Sequence, residues 1–244
     1  MIPRGSLFVL EGCDCSGKTT QAKRLVAALQ AKNVAVEFRQ FPDRSTTIGT
    51  VIDRYLKNEE EKADETIHLL FSANRWEQRN SLLALLKSGT SVIVDRYAYS
   101  GVAYSVAKGL DQDWCQAPDR GLIRPDAVFF LDMKPSTAQQ RRGFGAERYE
   151  TLDFQNRVYQ AFMAMKDHSW QMVDADRSMD EITSDLISRC LQILPLPKDS
   201  KPAKLWLPEE NSTDGKEAET AKSKQNGYFV HSVNSMANGR TKVN

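Results

Sequence analysis

The stretch Gly12-Cys13-Asp14-Cys15-Ser16-Gly17-Lys18-Thr19 reads G-x-x-x-x-G-K-T, and its spacing restricts the fold sharply. Gly12 and Gly17 permit backbone angles that a Cβ forbids. Successive N–H groups can then turn inward around an anion. Lys18 brings a point charge to the terminal phosphates of a nucleotide, and Thr19 offers a hydroxyl to a phosphate-bound Mg2+. The flanks agree with that chemistry. Leu7-Phe8-Val9-Leu10 is a short apolar run, hence a buried strand, and Ala22, Leu25, Val26 and Leu29 follow at helical spacing. The loop thus joins a strand to a helix N-terminus, whose dipole favours phosphate. A chance glycine-rich turn would not combine four fixed positions with this strand–loop–helix context.

A kinase-like loop needs a full domain around it, and 244 residues supply one of ordinary size. The 33 Lys and Arg against 32 Asp and Glu leave a formal charge of +1, which gives no electrostatic case for nucleic-acid binding. No run approaches the roughly 20 apolar residues of a membrane span. Met1-Ile2-Pro3-Arg4-Gly5 leads straight into the first strand, so no signal peptide is expected. Cys13, Cys15, Cys115 and Cys190 make no disulfide framework and suit a reducing compartment, with the cytoplasm as the expected location. Cys13 and Cys15 are too closely spaced for a zinc pair. Their place at a helix N-terminus beside Lys18 predicts lowered thiol pKa values, hence reactivity, unless the sulfurs point into the core.

Beyond the first helix, Val34 to Phe38 reads as a second strand that ends at Phe41-Pro42-Asp43-Arg44. Arg44 stands near the C-terminal edge of the sheet, where open α/β sheets bind ligands; a phosphate clamp and a solvated loop charge are both open at this point. Ile48 to Leu56 form a short amphipathic helix, and Glu65 to Lys87 a long one closed by Ser88-Gly89. Phe71 and Arg75 are four apart and share a face, fit either to stack and hydrogen-bond a base or to form a surface pair. Ser91 to Asp95 is a third strand; its terminal acid is placed for a second Mg2+ contact, with Arg96 beside it. Tyr99 to Tyr104 begin another helix. Asp126 to Asp132 form a fourth strand, and Pro135 opens a helix running into Arg141 to Glu150. Three arginines and two glycines in that decapeptide predict a mobile lid. A helix with Phe154, Val158, Phe162 and Met165 on one face follows, then a fifth strand at Trp170 to Asp174 and a last helix. From Pro195 the apolar pattern fades, and residues 208–244 are expected to be disordered.

Four further segments resemble the thymidylate kinase family in order and spacing. They are Phe41-Pro42-Asp43-Arg44-Ser45-Thr46, Leu69 to Glu77, Asp95-Arg96-Tyr97-Ala98-Tyr99-Ser100-Gly101, and Glu147-Arg148-Tyr149-Glu150. The similarity spans residues 5–207. It implies a three-layer α/β phosphate-loop kinase fold, with a five-stranded parallel sheet wrapped by helices and a homodimer involving the long helix. It implies an ATP-dependent phosphotransferase that moves the γ-phosphoryl group to dTMP, giving dTDP on the way to dTTP, with Mg2+ accompanying ATP. Carried over, Gly12, Cys13, Asp14, Cys15, Ser16, Gly17, Lys18, Thr19 and Thr20 bind the donor phosphates, and Thr19 and Asp95 serve the metal. Asp14 meets the acceptor's 3′-hydroxyl; Arg44 and Arg96 hold its phosphate. Phe71 stacks on thymine and Arg75 donates to its carbonyl. Tyr104 crowds a 2′-hydroxyl, and Phe41, Ser100, Gly101, Tyr149 and Gln155 complete the acceptor site. Arg142 and Arg148 close over ATP.

Two departures stand out. Cys15 occupies a place where many members carry an arginine, and a family branch lacking it supplies one from the lid, as Arg141, Arg142 or Arg148 would here. The lid is also one residue short. Among rivals, a guanine-reading switch protein needs Asn-Lys-x-Asp, which is absent. A nucleoside kinase would leave Arg44 and Arg96 without an acceptor phosphate. A pseudokinase is at odds with the presence of Lys18, Thr19 and Asp95.

Overall fold

Alternating strands and helices wind into a sheet with β1 (Leu7–Glu11) at its centre. The computed structural model describes residues 3–141, 144–197 and 200–207. After β1 come α1 (Lys18–Gln30), β2 (Val36–Gln40), α2 (Thr47–Leu56), α3 (Asp64–Lys87), β3 (Ser91–Asp95) and α4 (Ala98–Val106). The short α5 (Gln112–Gln116) runs into a 3-10 turn, Ala117–Asp119. Then follow β4 (Ala127–Asp132), α6 (Pro135–Ala138), α7 (Leu152–Met165), β5 (Trp170–Asp174) and α8 (Met179–Ile193). These elements all lie within one compact unit, Met1–Pro208. The expectation of disorder for 208–244 falls outside the described residues.

The strand order is β2-β3-β1-β4-β5 and every pairing is parallel. Parallel strands need crossover helices on both faces, so their side chains are buried on both sides. β1 shows this directly. Leu7 and Val9 join a core with Val92, Val94, Phe130, Leu82, Leu86 and Phe162. Phe8 and Leu10 face the opposite way and join Ile93, Phe129, Leu25, Leu29 and Leu186. The period-two alternation of one strand thus feeds two cores, which gives the expected three layers. Truncating Phe129 or Phe130, both fully buried, to alanine would cost about 3–5 kcal/mol.

The register places the chemistry. Leu10 pairs with Asp95 and Glu11 with Phe130, so β1, β3 and β4 end together. The chain leaves β1 toward β2 and returns to β4 on the other flank. The phosphate loop therefore opens at the point where strand order reverses, at the C-terminal edge.

Several boundaries differ from the sequence expectation. β2 begins at Val36 because the Val34 N–H donates to Leu29 O at 3.1 Å, closing α1 rather than entering the sheet. α6 is one turn, not a helix reaching Arg141. Its end tightens into i→i−3 bonds, Gln140 N to Thr137 O at 3.1 Å and Arg141 N to Ala138 O at 3.0 Å. α5 and the 3-10 turn carry no expectation from the sequence. Leu205 is buried, with Leu205 N donating to Leu122 O at 2.7 Å, so this late apolar segment belongs to the domain.

Candidate active site

The phosphate loop leaves β1 through Gly12 at φ 144°, where a Cβ would stand 2.8 Å from Leu131 O. Any side chain there would collide with the backbone of β4. Cys15 also takes a positive φ of 57°, which turns the loop back toward α1. Gly17 caps α1 with no side-chain hydrogen bond to the first turn. The N–H groups at that helix end are left for an anion. Lys18 is buried, and its Nζ donates to Cys13 O and, at 3.1 Å, to Ser16 Oγ. Burial, reinforced by the nearby Arg96 charge, lowers the Lys18 pKa to about 8. Thr20 is exposed at the loop's end.

Thr19 Oγ1 donates to Asp95 Oδ2 at 2.5 Å. Asp95 is 1% exposed, and its Oδ1 is buried with no hydrogen-bond partner among the described residues. A buried, unsatisfied carboxylate oxygen is costly unless a cation meets it. A hydroxyl and a carboxylate are the hard oxygen ligands that Mg2+ takes alongside substrate phosphates and water. The residues fit that ion. Among the described residues no cluster of three or more His, Cys, Asp or Glu could hold a metal unaided.

The acceptor side begins where Arg96 leaves β3 at φ 65°. Its Nη1 donates to Gly12 O and Ser100 Oγ, each at 3.1 Å, and its Nη2 pairs with Asp14 Oδ1. Gln155, from α7, grips Asp14 twice: Nε2 donates to Oδ2 at 2.6 Å, and Oε1 accepts from Asp14 N at 2.9 Å. Beneath them Glu11 is fully buried. It accepts from Tyr97 N at 2.9 Å, Ser100 N at 3.1 Å and Ser100 Oγ at 2.5 Å. Burial raises the Glu11 pKa, partly offset by the Ser100 bond. Glu11 thus caps α4, whose own preceding residue, Tyr97, supplies no side-chain bond.

A cavity opens beyond Asp14 and Arg96. Phe41, Phe71 and Tyr149 form apolar walls, with Ser100, Gly101 and Tyr104 along α4. Arg44 and Arg75 also line it. The Tyr104 ring lies 5.3 Å from the Arg96 guanidinium and 5.6 Å from the Tyr149 ring. Its hydroxyl is buried, and burial raises its pKa well above the usual value. One cavity therefore meets the phosphate loop across a single ion pair, Asp14–Arg96.

A thymidylate kinase family model matches residues 10–186. The chain is 47% identical over 201 residues to thymidylate kinase of Arabidopsis thaliana, covering 80% of this chain and 76% of that one. It is 46% identical over 187 residues to the human thymidylate kinase, covering 75% and 88%. The chain belongs to the thymidylate kinase family. Its fold is similar to the solved thymidylate kinase of Candida albicans, with a TM-score of 0.71 and 36% identity over 79% of this chain and 93% of that one.

Within that family frame, the structure brings together most of the residues singled out in the sequence. The candidate arginines fare differently. Arg148 does not approach the phosphate loop: its Nε donates to Tyr55 O at 2.8 Å, it pairs with Glu61 at 2.8 Å, and its guanidinium lies 4.1 Å from the Tyr55 ring centre. These contacts turn its side chain toward α2. Arg142 lies outside the described residues. Arg141 is the arginine at the loop, with Nη1 donating to Cys15 O and Nη2 to Ala175 O, both at 3.1 Å. Arg44 is engaged at both ends, by Asp53 and by Glu147, each at 2.7 Å.

The cysteines correct a second expectation. Cys13 is buried and burial pushes its pKa up to about 12. Cys15 is also raised, by partial burial and then by the Glu150 and Asp14 carboxylates. Desolvation outweighs the helix end and Lys18. Sequence reasoning also missed Glu11, Asn74 and Asp119. Asn74 is buried, accepts from Asp43 N at 2.7 Å and donates to Thr46 Oγ1 at 3.0 Å, shaping the loop that carries Arg44. Glu11 abuts the phosphate loop, a local signal that was available; Asp119 has no local signal.

Proposed function

We propose that this chain transfers the γ-phosphoryl group of ATP to dTMP, giving ADP and dTDP. The observation that carries this reading is the Asp14–Arg96 pair, where the phosphate loop and the cavity share one boundary. An acceptor in the cavity would present its phosphate to Arg96 and Arg44, next to the donor phosphates at Lys18. Phosphoryl transfer of this type is chiefly positioning and charge stabilisation. Asp14, Arg96 and Lys18 fix the two reacting groups. Arg141 adds positive charge where Cys15 lacks it. Thr19 and Asp95 would hold Mg2+ with the donor phosphates, and that ion supplies charge neutralisation there. Phe71 and Tyr149 exclude water from the base, Arg75 meets its carbonyl, Gln155 orients Asp14, and Tyr104 crowds a 2′-hydroxyl.

The same reading includes a homodimer through α3, favoured by Leu69 and Trp76. These lie seven apart on one helical face and are 47% and 38% exposed. It includes a phosphotransferase unit ending at residue 207, a cytoplasmic location suited to four free cysteines, and no nucleic-acid partner. Among the described residues no helix is long and apolar enough to cross a membrane. A coupled ADP-release assay with ATP and Mg2+ tests the reaction. Rapid turnover with dTMP and little with thymidine supports it; preference for thymidine would overturn it in favour of a nucleoside kinase.

A further inference from the structure

Arg75 and Asp119 form an ion pair at the cavity wall with both side chains out of solvent, 2% and 0% exposed. Arg75 Nη2 donates to Asp119 Oδ2 at 2.5 Å, and Nε donates to Oδ1 at 3.1 Å. Ser72 Oγ, one turn earlier on α3, donates to the same Oδ1 at 2.7 Å. Two of the three guanidinium nitrogens are thereby committed, which leaves Nη1. Across from them runs α4. A Cβ on Gly101 would come within 2.6 Å of Nη2 and 3.0 Å of Nη1, so the guanidinium lies flat against bare backbone. The turn carrying Asp119 is itself gripped by α3: Trp76 Nε1 donates to Pro118 O at 2.6 Å, and Ser72 Oγ at 3.2 Å.

Burying two charges is no efficient route to stability, because desolvation consumes most of the attraction. What the pair does provide is direction. A guanidinium carries donors and no acceptor, and a two-point carboxylate clamp removes its freedom to swing. Its remaining edge can meet only an acceptor atom. We propose that Asp119 is a positioning residue for acceptor choice: by clamping Arg75 it favours a pyrimidine nucleotide with a carbonyl at ring position 4 over one with an amino group there. The inference rests on the cavity being the acceptor site.

The test uses the full chain with ATP and Mg2+, and compares kcat/KM for dTMP and dUMP with that for dCMP. Asp119→Asn is expected to lower kcat/KM for the two carbonyl acceptors about tenfold or more, the effect of losing one well-aligned charged hydrogen bond. It should leave dCMP and the KM for ATP nearly unchanged, so the carbonyl-to-amino ratio collapses. Arg75→Ala should lower the same ratio, and the double variant should fall no further than Arg75→Ala alone. A thermal melt establishes folding. An unmoved ratio in folded Asp119→Asn, equal losses with all three acceptors, or additive losses in the double variant would each overturn the proposal. If Asp119→Asn does not fold, Ser72→Ala decides: it removes the brace on Asp119 Oδ1, and the weaker contact to Pro118 O, while leaving the carboxylate itself, and a smaller fall in the ratio supports the proposal while none overturns it. Failure of the unaltered chain to phosphorylate dTMP would instead overturn the acceptor reading itself.

Discussion

Gln155→Glu is nearly isosteric and reverses the chemistry at one atom. In the native chain Nε2 donates to Asp14 Oδ2 at 2.6 Å, from a side chain that is 1% exposed. The variant sets a second carboxylate against Asp14. Two like charges near 4 Å repel by about 4 kcal/mol at an effective dielectric constant of about 20. The pair escapes by binding one proton, since two carboxylates sharing a site raise one pKa. From a model Glu pKa of about 4.3, holding that proton costs about 4 kcal/mol at pH 7.5 and about 2 kcal/mol at pH 5.5. Protonation of the introduced carboxyl restores the lost donor. The pair's pKa is raised in the folded protein, so its stability contribution is intact at low pH and is lost as pH rises through the folded value. The assay is kcat/KM for dTMP against pH, divided by that of the unaltered chain. The ratio should be depressed by about a thousandfold near pH 7.5 and recover by about a hundredfold toward pH 5.5. A ratio that stays near one across that range would refute the role assigned to the Gln155–Asp14 contact.

Three other outcomes follow from the geometry. Arg141→Ala should reduce kcat/KM for ATP by about ten- to a hundredfold, the worth of charged hydrogen bonds, whereas Arg148→Ala should leave the ATP parameters nearly unchanged; steady-state kinetics on both variants would reverse the assignment if Arg148 proved the sensitive one. Glu147→Gln should lower the KM for dTMP by no more than about fivefold, because it frees Arg44 from a half-exposed ion pair worth at most about 1 kcal/mol; a raised KM would mean that Glu147 holds Arg44 in place for the phosphate. Raised pKa values keep Cys13 and Cys15 protonated at neutral pH, so both should alkylate more slowly than free cysteine and faster as pH rises; mass spectrometry showing rapid Cys15 modification at pH 7 would contradict this.

The parts of this molecule that were legible in its sequence are those with a local physical signature. Ser91–Asp95 is an apolar run whose ends match the observed strand, because a buried parallel strand has little choice of composition. Trp170–Asp174 matches as well, though as an edge strand it is buried only at Trp170 and Val173. The phosphate loop is a backbone device written in two glycines and a lysine. Arg44, Phe71, Arg75 and Tyr104 reached one cavity because helical spacing and the sheet edge both constrain them. What stayed hidden is tertiary. Asp119 meets Arg75 from 44 residues away, on a 3-10 turn too short to show periodicity. The direction of Arg148 depends on Tyr55 and Glu61, which no pattern within the arginine-rich segment encodes. The cysteine pKa values turned on burial depth, where composition and a helix end point the other way.

The central claim is that Lys18 and the loop around it deliver a phosphoryl group to a nucleotide held beside Arg96. The most direct measurement follows ATP and dTMP by 31P NMR in the presence of Mg2+, with the unaltered chain and with Lys18→Ala purified in parallel. Stoichiometric growth of ADP and dTDP signals with the unaltered chain, and none with a folded Lys18→Ala, is the predicted result. Equal growth with both proteins, or ADP formed with phosphate and no dTDP, would contradict the account.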